Sequence, residues 1–146
     1  MLLGSISENP TLFSLPEFVY DLERGEAESF MCRLQSLFAS ISSEHEADKE
    51  IHFQNMITIF TKMLGFVVLT EVHSSQGRSD IQIETPDYIY IMELKVDSTP
   101  EKASAQIKER GYARQYVIDP REKILIGANF SSVTRTLTGW QIERIR

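Results

Sequence analysis

The sequence predicts an α/β (α+β) fold in which a mixed central sheet is flanked by helices. After a first amphipathic helix, the element patterns run α-β-β-β-α-β-β. Three successive strand patterns can form a meander, and a helix pattern then separates the third strand from the next. A helix between two strands favours a crossover connection and a parallel pair, so the sheet is expected to be mixed.

The N-terminal half carries the helical patterns. Residues 1–25 are expected to be irregular to short-helical, with Pro16 as a breaker, and Glu26 to Ile41 to form an amphipathic helix. A second helix is predicted from Asp48 to Leu64, closed by Gly65. Its apolar stripe is Phe53, Met56, Ile57, Phe60, Met63 and Leu64. We expect residues 1–46 to form a helical extension and 47–146 the main domain.

Five strand patterns and one further helix occupy the rest of the chain. The strands are predicted at 66–72, 79–84, 88–96, 123–130 and 140–146, the last at a sheet edge. The helix begins at Ser98-Thr-Pro-Glu and runs to about 114. Either Ser98 caps this helix with Glu101 three residues later, or Thr99 caps it with Pro100 at the first helical position.

The hairpin from residue 79 to 96 brings charges together. With a turn at 85–88, Glu84 pairs with Ile89, and the register places Asp80 opposite Glu93. Residues directly opposite in an antiparallel pair share a face, and Lys95, two residues past Glu93, points the same way. Buried charges are costly unless they are paired or bind a metal, so this cluster predicts a divalent metal site.

Composition excludes some function classes but does not choose among the rest. The 146 residues contain no apolar run long enough for a transmembrane helix, and the N-terminus is a poor match to a signal peptide. The chain has one cysteine, Cys32, so it has no internal disulfide. Together these observations predict a cytoplasmic protein. Residues 1–94 hold 5 Lys or Arg and 15 Asp or Glu, whereas residues 95–146 hold 10 Lys or Arg and 6 Asp or Glu. The basic C-terminal part is compatible with a phosphate backbone or with an ordinary solvated face.

Short motifs follow one another from the hairpin onwards, after an acidic residue on the preceding helix. They are Gly77-Arg-Ser-Asp80-Ile, Glu84-Thr-Pro-Asp-Tyr-Ile-Tyr-Ile, Glu93-Leu-Lys95, Ala105-Gln106-Ile107 and Gly111-Tyr-Ala. Together they resemble the PD-(D/E)xK nuclease superfamily. The run looks like the nuclease-like domain that follows AAA-ATPase-like modules in Bacteroides-type bacterial proteins. The resemblance implies a restriction-endonuclease-like αβββαβ core over residues 47–146, although Ser79 stands where the motif's name has proline.

The resemblance also implies roles for individual residues. Asp80, Glu93 and the Leu94 carbonyl would hold Mg²⁺ or Mn²⁺, and Lys95 would position the attacking water. The helix acid is Glu50 or Glu46, with Glu50 preferred because it lies on the core-facing stripe; a simple helix-start acid is the alternative. Gln106 would contact Lys95 or a phosphate, or else be a satisfied core amide.

Two functions follow as expectations. The first is a magnesium-dependent nuclease, a hydrolase that binds and cuts nucleic acid, DNA rather than RNA. The second is a nuclease fold with little or no turnover that binds nucleic acid or protein. Candidate partners are a second copy, through the edge strand or the helix from Glu26, and an ATPase-like module as in relatives.

Overall fold

The computed structural model describes residues 15–40, 50–70, 81–110 and 118–145. Within these ranges the chain forms four helices and five strands. The helices are α1 (Leu15–Arg24), α2 (Ala27–Ser40), α3 (Glu50–Met63) and α4 (Pro100–Arg110). The strands are β1 (Val67–Leu69), β2 (Ile81–Glu84), β3 (Tyr88–Val96), β4 (Glu122–Phe130) and β5 (Leu137–Ile145).

The five strands form one mixed sheet in the order β1-β2-β3-β4-β5. Strands β1, β2 and β3 are an antiparallel meander, β3 and β4 are parallel, and β5 returns antiparallel to β4 at the sheet edge. Helix α4 makes the crossover between β3 and β4, because parallel neighbours cannot be joined by a tight turn. The mixed sheet and the edge position of β5 confirm the predicted architecture.

The β2–β3 hairpin has the predicted register. Glu84 pairs with Ile89, and Ile81 pairs with Met92 at the far end of the described ladder. Thr85 closes the turn, since its backbone N–H donates to the Tyr88 carbonyl at 2.9 Å and its hydroxyl accepts the Tyr88 N–H at 2.9 Å. A four-residue turn with threonine, proline and aspartate therefore sets which β3 side chains lie on each face of the sheet.

One face of the sheet packs against α1, α2 and α3 and holds the larger core. Alternate residues of β3, namely Tyr90, Met92 and Leu94, are fully buried on this face. Two phenylalanines join α3 to β4, because the Phe53 and Phe130 rings stack with centroids 4.1 Å apart. Such aromatic packing, with its large buried area, holds the helices firmly to this side of the sheet.

Helix α4 covers the opposite face. Ile89, Ile91, Leu125 and Ile107 form a smaller apolar cluster beneath it. Gly127 on β4 lets the helix come close, because a Cβ there would collide with the backbone nitrogen of Ser104. The sheet is therefore sandwiched between helices, and α4 is the described helix that lies on the face carrying the odd-numbered residues of β3.

Four details differ from the sequence-based prediction. Strand β5 begins at Leu137, three residues before the predicted start. Pro16 does not break a helix but is the second residue of α1, where its missing N–H has no helical partner to lose. Met63 is 80% exposed and does not belong to the core stripe of α3. Strand β1 spans three residues within a predicted 66–72, of which residues 71 and 72 lie outside the described part.

Helices α1 and α2 share the large core with the sheet. The Phe18 ring of α1 contacts Phe30 of α2 and Phe60 of α3 edge to face, at 5.9 and 4.9 Å between centroids. The division into an extension over residues 1–46 and a domain over 47–146 stays a prediction. In the part of the chain that the structure describes, no helix has the length and apolar character needed to span a bilayer.

Candidate metal and nucleic-acid site

Glu93 and Lys95 lie on the α4 face at the C-terminal end of β3. They continue the row of alternate residues that begins with Ile89 and Ile91. Glu93 is only 3% exposed, whereas Lys95 is partly exposed and borders an open cleft. The predicted shared face of these two residues is confirmed, and the row changes from apolar to charged where the strand approaches its end.

Leu94 lies between the two charged residues and points the other way. Its side chain is fully buried in the larger core, so its backbone is held in place by packing from α1 to α3. A backbone carbonyl at this position is the oxygen that the sequence analysis offered as a metal ligand. The buried Leu94 side chain thus anchors the strand at the candidate site.

Two of the predicted site residues, Asp80 and Glu50, cannot be compared with Glu93 in the described part of the chain. Asp80 lies outside the described residues, as do the other candidate helix acid, Glu46, and the motif residue Arg78. The described ladder ends at Ile81 opposite Met92, one residue before the predicted Asp80–Glu93 pair. Glu50 is the first residue of α3, but its side chain is not among those described. Their approach to Glu93 stays a prediction.

Helix α4 forms one wall of a cleft beside Lys95. The cleft has a volume of about 340 Å³ and is lined by Lys95, Ser98, Lys102, Ala105, Gln106 and Glu109. Gln106 therefore lies near Lys95, next to the buried Ala103 and Ile107 as the sequence predicted. Its Oε1 atom is buried and accepts no hydrogen bond from the described residues, so this acceptor suits a donor that arrives with substrate or water.

Lys95 and Lys102 are two cations of this cleft without an ion pair to any described side chain. Several other basic residues of the described sheet and helices are engaged: Arg121 binds Asp119 and Glu84, and Lys108 binds Glu143. An unpaired ammonium costs little in water but is attractive to an approaching anion. The cleft thus presents positive charge near the buried Glu93.

The junction between β3 and α4 is fixed by side-chain hydrogen bonds. Asp97, with φ of 54°, accepts hydrogen bonds from the Ser132 backbone N–H at 3.0 Å and from its hydroxyl. These bonds lower the pKa of the Asp97 carboxyl below its usual value. On the neighbouring strand, Asn129 pairs in register with Lys95 and accepts the Ser98 N–H at 2.8 Å. The hydrogen bonds of Asp97 and Asn129 together set where α4 begins relative to Lys95.

The donor chemistry of the site fits a hard divalent cation. Glu93 supplies a buried carboxylate and Leu94 a backbone carbonyl, both oxygen ligands of the kind Mg²⁺ prefers. In the described ranges no three His, Cys, Asp or Glu side chains gather in a metal-binding arrangement, so the proposed set also needs Asp80. A bound cation would offset the cost of burying the Glu93 charge.

A larger cavity lies at the other end of the sheet. It measures about 420 Å³ and is lined in part by Val19, Phe66, Glu84 and Arg121. The Arg121 guanidinium is already engaged, because it donates to both Asp119 oxygens and to the Thr85 carbonyl. Because the Arg121 guanidinium is used in these internal hydrogen bonds, we do not assign a binding role to this cavity.

Sequence reasoning missed three residues around the cleft. Ser98 and Lys102 line it, and Asn129 anchors the start of α4. A signal for Lys102 was present, because it stands four residues before Gln106 and so shares a face of α4 with it. Ser98 precedes the helix and gave no signal of this kind. Asn129 gave no such signal, since it sits within an apolar strand pattern whose partner is remote in sequence.

Comparison with known proteins identifies the family. A protein of Azotobacter chroococcum mcd 1, described as an uncharacterized protein in the vnfD 5' region, is 33% identical over 84 residues. The aligned part covers 56% of this chain and 16% of that protein, so the chain spans a small part of this relative's length. The family model of the PD-(D/E)XK nuclease superfamily matches residues 48–140, from the start of α3 into β5. The fold and this match agree, and the chain belongs to the PD-(D/E)XK nuclease superfamily.

Proposed function

We propose that this chain is a divalent-metal-dependent nuclease that hydrolyses phosphodiester bonds of nucleic acid, DNA rather than RNA. The observation that carries the proposal is the placement of Glu93, a carboxylate only 3% exposed, on the same strand face as Lys95. A nearly buried carboxylate on the same strand face as a lysine that borders an open cleft suits metal-dependent phosphodiester hydrolysis.

The residues that would hold the metal are Asp80, Glu93 and the Leu94 carbonyl. Bound there, Mg²⁺ or Mn²⁺ would polarise the phosphoryl group and lower the pKa of a coordinated water. Asp80 would share the metal with Glu93 if the antiparallel register continues one residue past Ile81. Two carboxylates and one carbonyl leave positions open for water and substrate oxygens.

Lys95 and Gln106 have roles on the substrate side of the metal. The Lys95 ammonium would orient the attacking water and offset charge that develops on the phosphoryl oxygens. The buried Gln106 Oε1 would accept a hydrogen bond from that water or from the Lys95 ammonium, which satisfies an acceptor that has no partner among the described residues. Glu50, at the start of α3, would hold a metal-bound water or a second metal.

The partners follow from the same proposal. Nucleic acid is the substrate class, approaching the open side of the Lys95 cleft. A second copy of the chain, joined through the exposed edge of β5 or through α2, and an ATPase-like module remain proposals, as does a cytoplasmic location. The edge position of β5 supports pairing with a second copy, because the free side of an edge strand can pair with the same strand of another chain.

Metal binding tests the proposal directly. We expect Mn²⁺ to bind the wild-type chain in isothermal titration calorimetry and to bind Glu93→Gln and Asp80→Ala at least about tenfold more weakly, since each removes a ligand. Glu23→Gln is the matched control, because Glu23 is an exposed carboxylate on α1, on the opposite face of the sheet. Equal Mn²⁺ affinity in all four proteins would remove the metal site.

Turnover needs a separate assay. Plasmid nicking in Mg²⁺ should be seen for the wild-type chain and lost in Lys95→Ala, while EDTA abolishes it. If metal binds but no plasmid or RNA is cut, the alternative holds: the chain is a nuclease fold that binds without turnover. This outcome separates the two functions because both predict a folded, metal-competent protein.

A further inference from the structure

We propose that Lys102, with the Ser98 hydroxyl, binds the phosphate next to the one being cut, so that the substrate strand runs along the start of α4. This inference rests on the proposed function, because it assigns a path to the substrate of the same site. It adds a residue that neither the strand motif nor the metal ligands include.

The first support is the shape of the cleft. Lys102 and Gln106 are four residues apart on one face of α4, Ser98 lies just before the helix begins, and all three line the cleft that Lys95 borders. A strand whose phosphate contacts Lys95 can therefore place its neighbouring phosphate beside Lys102. Glu109 lies seven residues beyond Lys102 on the same face, so negative charge marks the opposite end of the cleft.

The second support is that the backbone at the start of α4 offers few donors for this phosphate. Pro100 has no N–H, and the Lys102 N–H already donates to the Thr99 hydroxyl at 3.1 Å. The Ser98 N–H donates to Asn129 at 2.8 Å. Since these two donors are used inside the protein, side chains are the main source of contacts for an anion here, and Lys102 supplies a positive charge.

The third support is that helix stability does not explain Lys102. It is the third residue of α4, in the first turn, where the helix dipole favours negative charge. Its exposed side chain forms no ion pair with a described residue, unlike Lys108 on the same helix, which pairs with Glu143. A cation placed against the dipole without a partner is better explained by a ligand than by folding.

The test is the salt dependence of nucleic-acid binding. A fluorescein-labelled oligonucleotide, single-stranded and duplex, is titrated with protein in EDTA while anisotropy is followed at several salt concentrations. For Lys102→Gln we expect weaker binding and a slope of log K against log salt reduced by about 0.7 for the single strand and about 0.9 for the duplex. Lys62→Gln is the control, since Lys62 is an exposed α3 lysine on the other face of the sheet.

Two further readouts decide what a change means. The melting temperature of Lys102→Gln should be equal to or above that of the wild type, because a structural role would lower it. Identical slopes in the Lys102 and Lys62 variants, or no salt-dependent binding by the wild type, would overturn the inference.

The inference and the proposed function fail differently. If the wild type nicks plasmid but Lys102→Gln keeps the wild-type KM and salt slope, the substrate path is wrong and the nuclease stands. If no protein nicks plasmid but the slope falls only in Lys102→Gln, the phosphate site stands and turnover is wrong. A raised KM with nearly unchanged kcat is the result that supports both.

Discussion

Gly127 is the position where one methyl group should disturb both the fold and the site. It lies on β4 beside Glu93 in the parallel ladder, under the first turns of α4. An alanine Cβ there would collide with the Ser104 backbone nitrogen and lie 2.9 Å from the Pro100 carbonyl oxygen. Both atoms belong to the α4 backbone, so the whole helix must move rather than one side chain.

The size of the effect follows from two opposing terms. Overpacking a well-packed core costs about 1–3 kcal/mol, and backbone atoms that cannot rotate away place Gly127→Ala near the upper value. Alanine in a strand gains roughly 0.5–1 kcal/mol over glycine from the unfolded state. We therefore expect a net destabilisation of about 2 kcal/mol, equivalent to a melting temperature lowered by roughly 4–8 °C.

Gly139→Ala is the matched control on the neighbouring strand. Its Cβ would lie 3.2 Å from Cγ of Pro100, a ring atom that can yield by a few tenths of an ångström. Urea unfolding followed by tryptophan fluorescence should place this variant within about 0.5 kcal/mol of the wild type. Equal stability of the two variants would refute the close approach of α4 to β4. Nicking should fall in Gly127→Ala alone, because a displaced helix carries Gln106 away from Lys95.

Three further predictions concern other parts of the molecule. Thr99→Ala should lower the free energy of unfolding by about 1 kcal/mol in urea titrations, whereas Ser98→Ala should not, because the Thr99 hydroxyl caps α4. Hydrogen bonds from Arg121 lower the pKa of Asp119 from 3.8 to about 2, so this carboxylate stabilises the fold above pH 4 and the benefit is lost as pH falls towards 2. Acid titration of Asp119→Asn should show a shallower loss over that window, and an unchanged slope would contradict this. Asp80→Ala should melt at or slightly above the wild-type temperature in EDTA, since it removes like-charge repulsion, and an unfolded variant would make Asp80 structural.

The sheet could be predicted from the sequence because its signals are local. Alternation in β2 and the turn at Thr85-Pro-Asp set the hairpin register, and all four described pairs agree with the prediction. The two proposed caps of α4 could not be separated from sequence, since both satisfy a known pattern. The hydrogen bond from the Lys102 N–H to Thr99 decides in favour of Thr99.

The sequence-based prediction was wrong or silent where the outcome depends on tertiary contacts, which neighbouring residues in the sequence do not indicate. Met63 has helical spacing with the core residues of α3, yet it lies in the last turn of the helix and is 80% exposed. A breaker at Pro16 cannot be told from a first-turn proline by sequence, because proline tolerates the first turn of a helix as readily as a loop. The need for Gly127 depends on a helix more than twenty residues earlier in the chain.

Part of the candidate site was predicted from the sequence and can be compared with the structure, and part of it lies outside the described residues. The shared face of Glu93 and Lys95 followed from strand alternation alone, whereas the position of Gln106 near Lys95 followed from the resemblance. Asp80 and the Glu50 side chain lie outside the described part, so their roles stay predictions. The cleft residues Ser98 and Lys102 needed coordinates, because the approach of α4 to β3 brings them beside Lys95.

The central claim is that a divalent cation binds between the acids of β3 and the strand before it. The most direct measurement is the anomalous difference density of a crystal soaked in Mn²⁺. The account predicts one peak within coordinating distance of the Glu93 carboxylate, with Asp80 as a second ligand. A map with no peak at Glu93, or with the Asp80 side chain on the opposite face of the sheet, would contradict it.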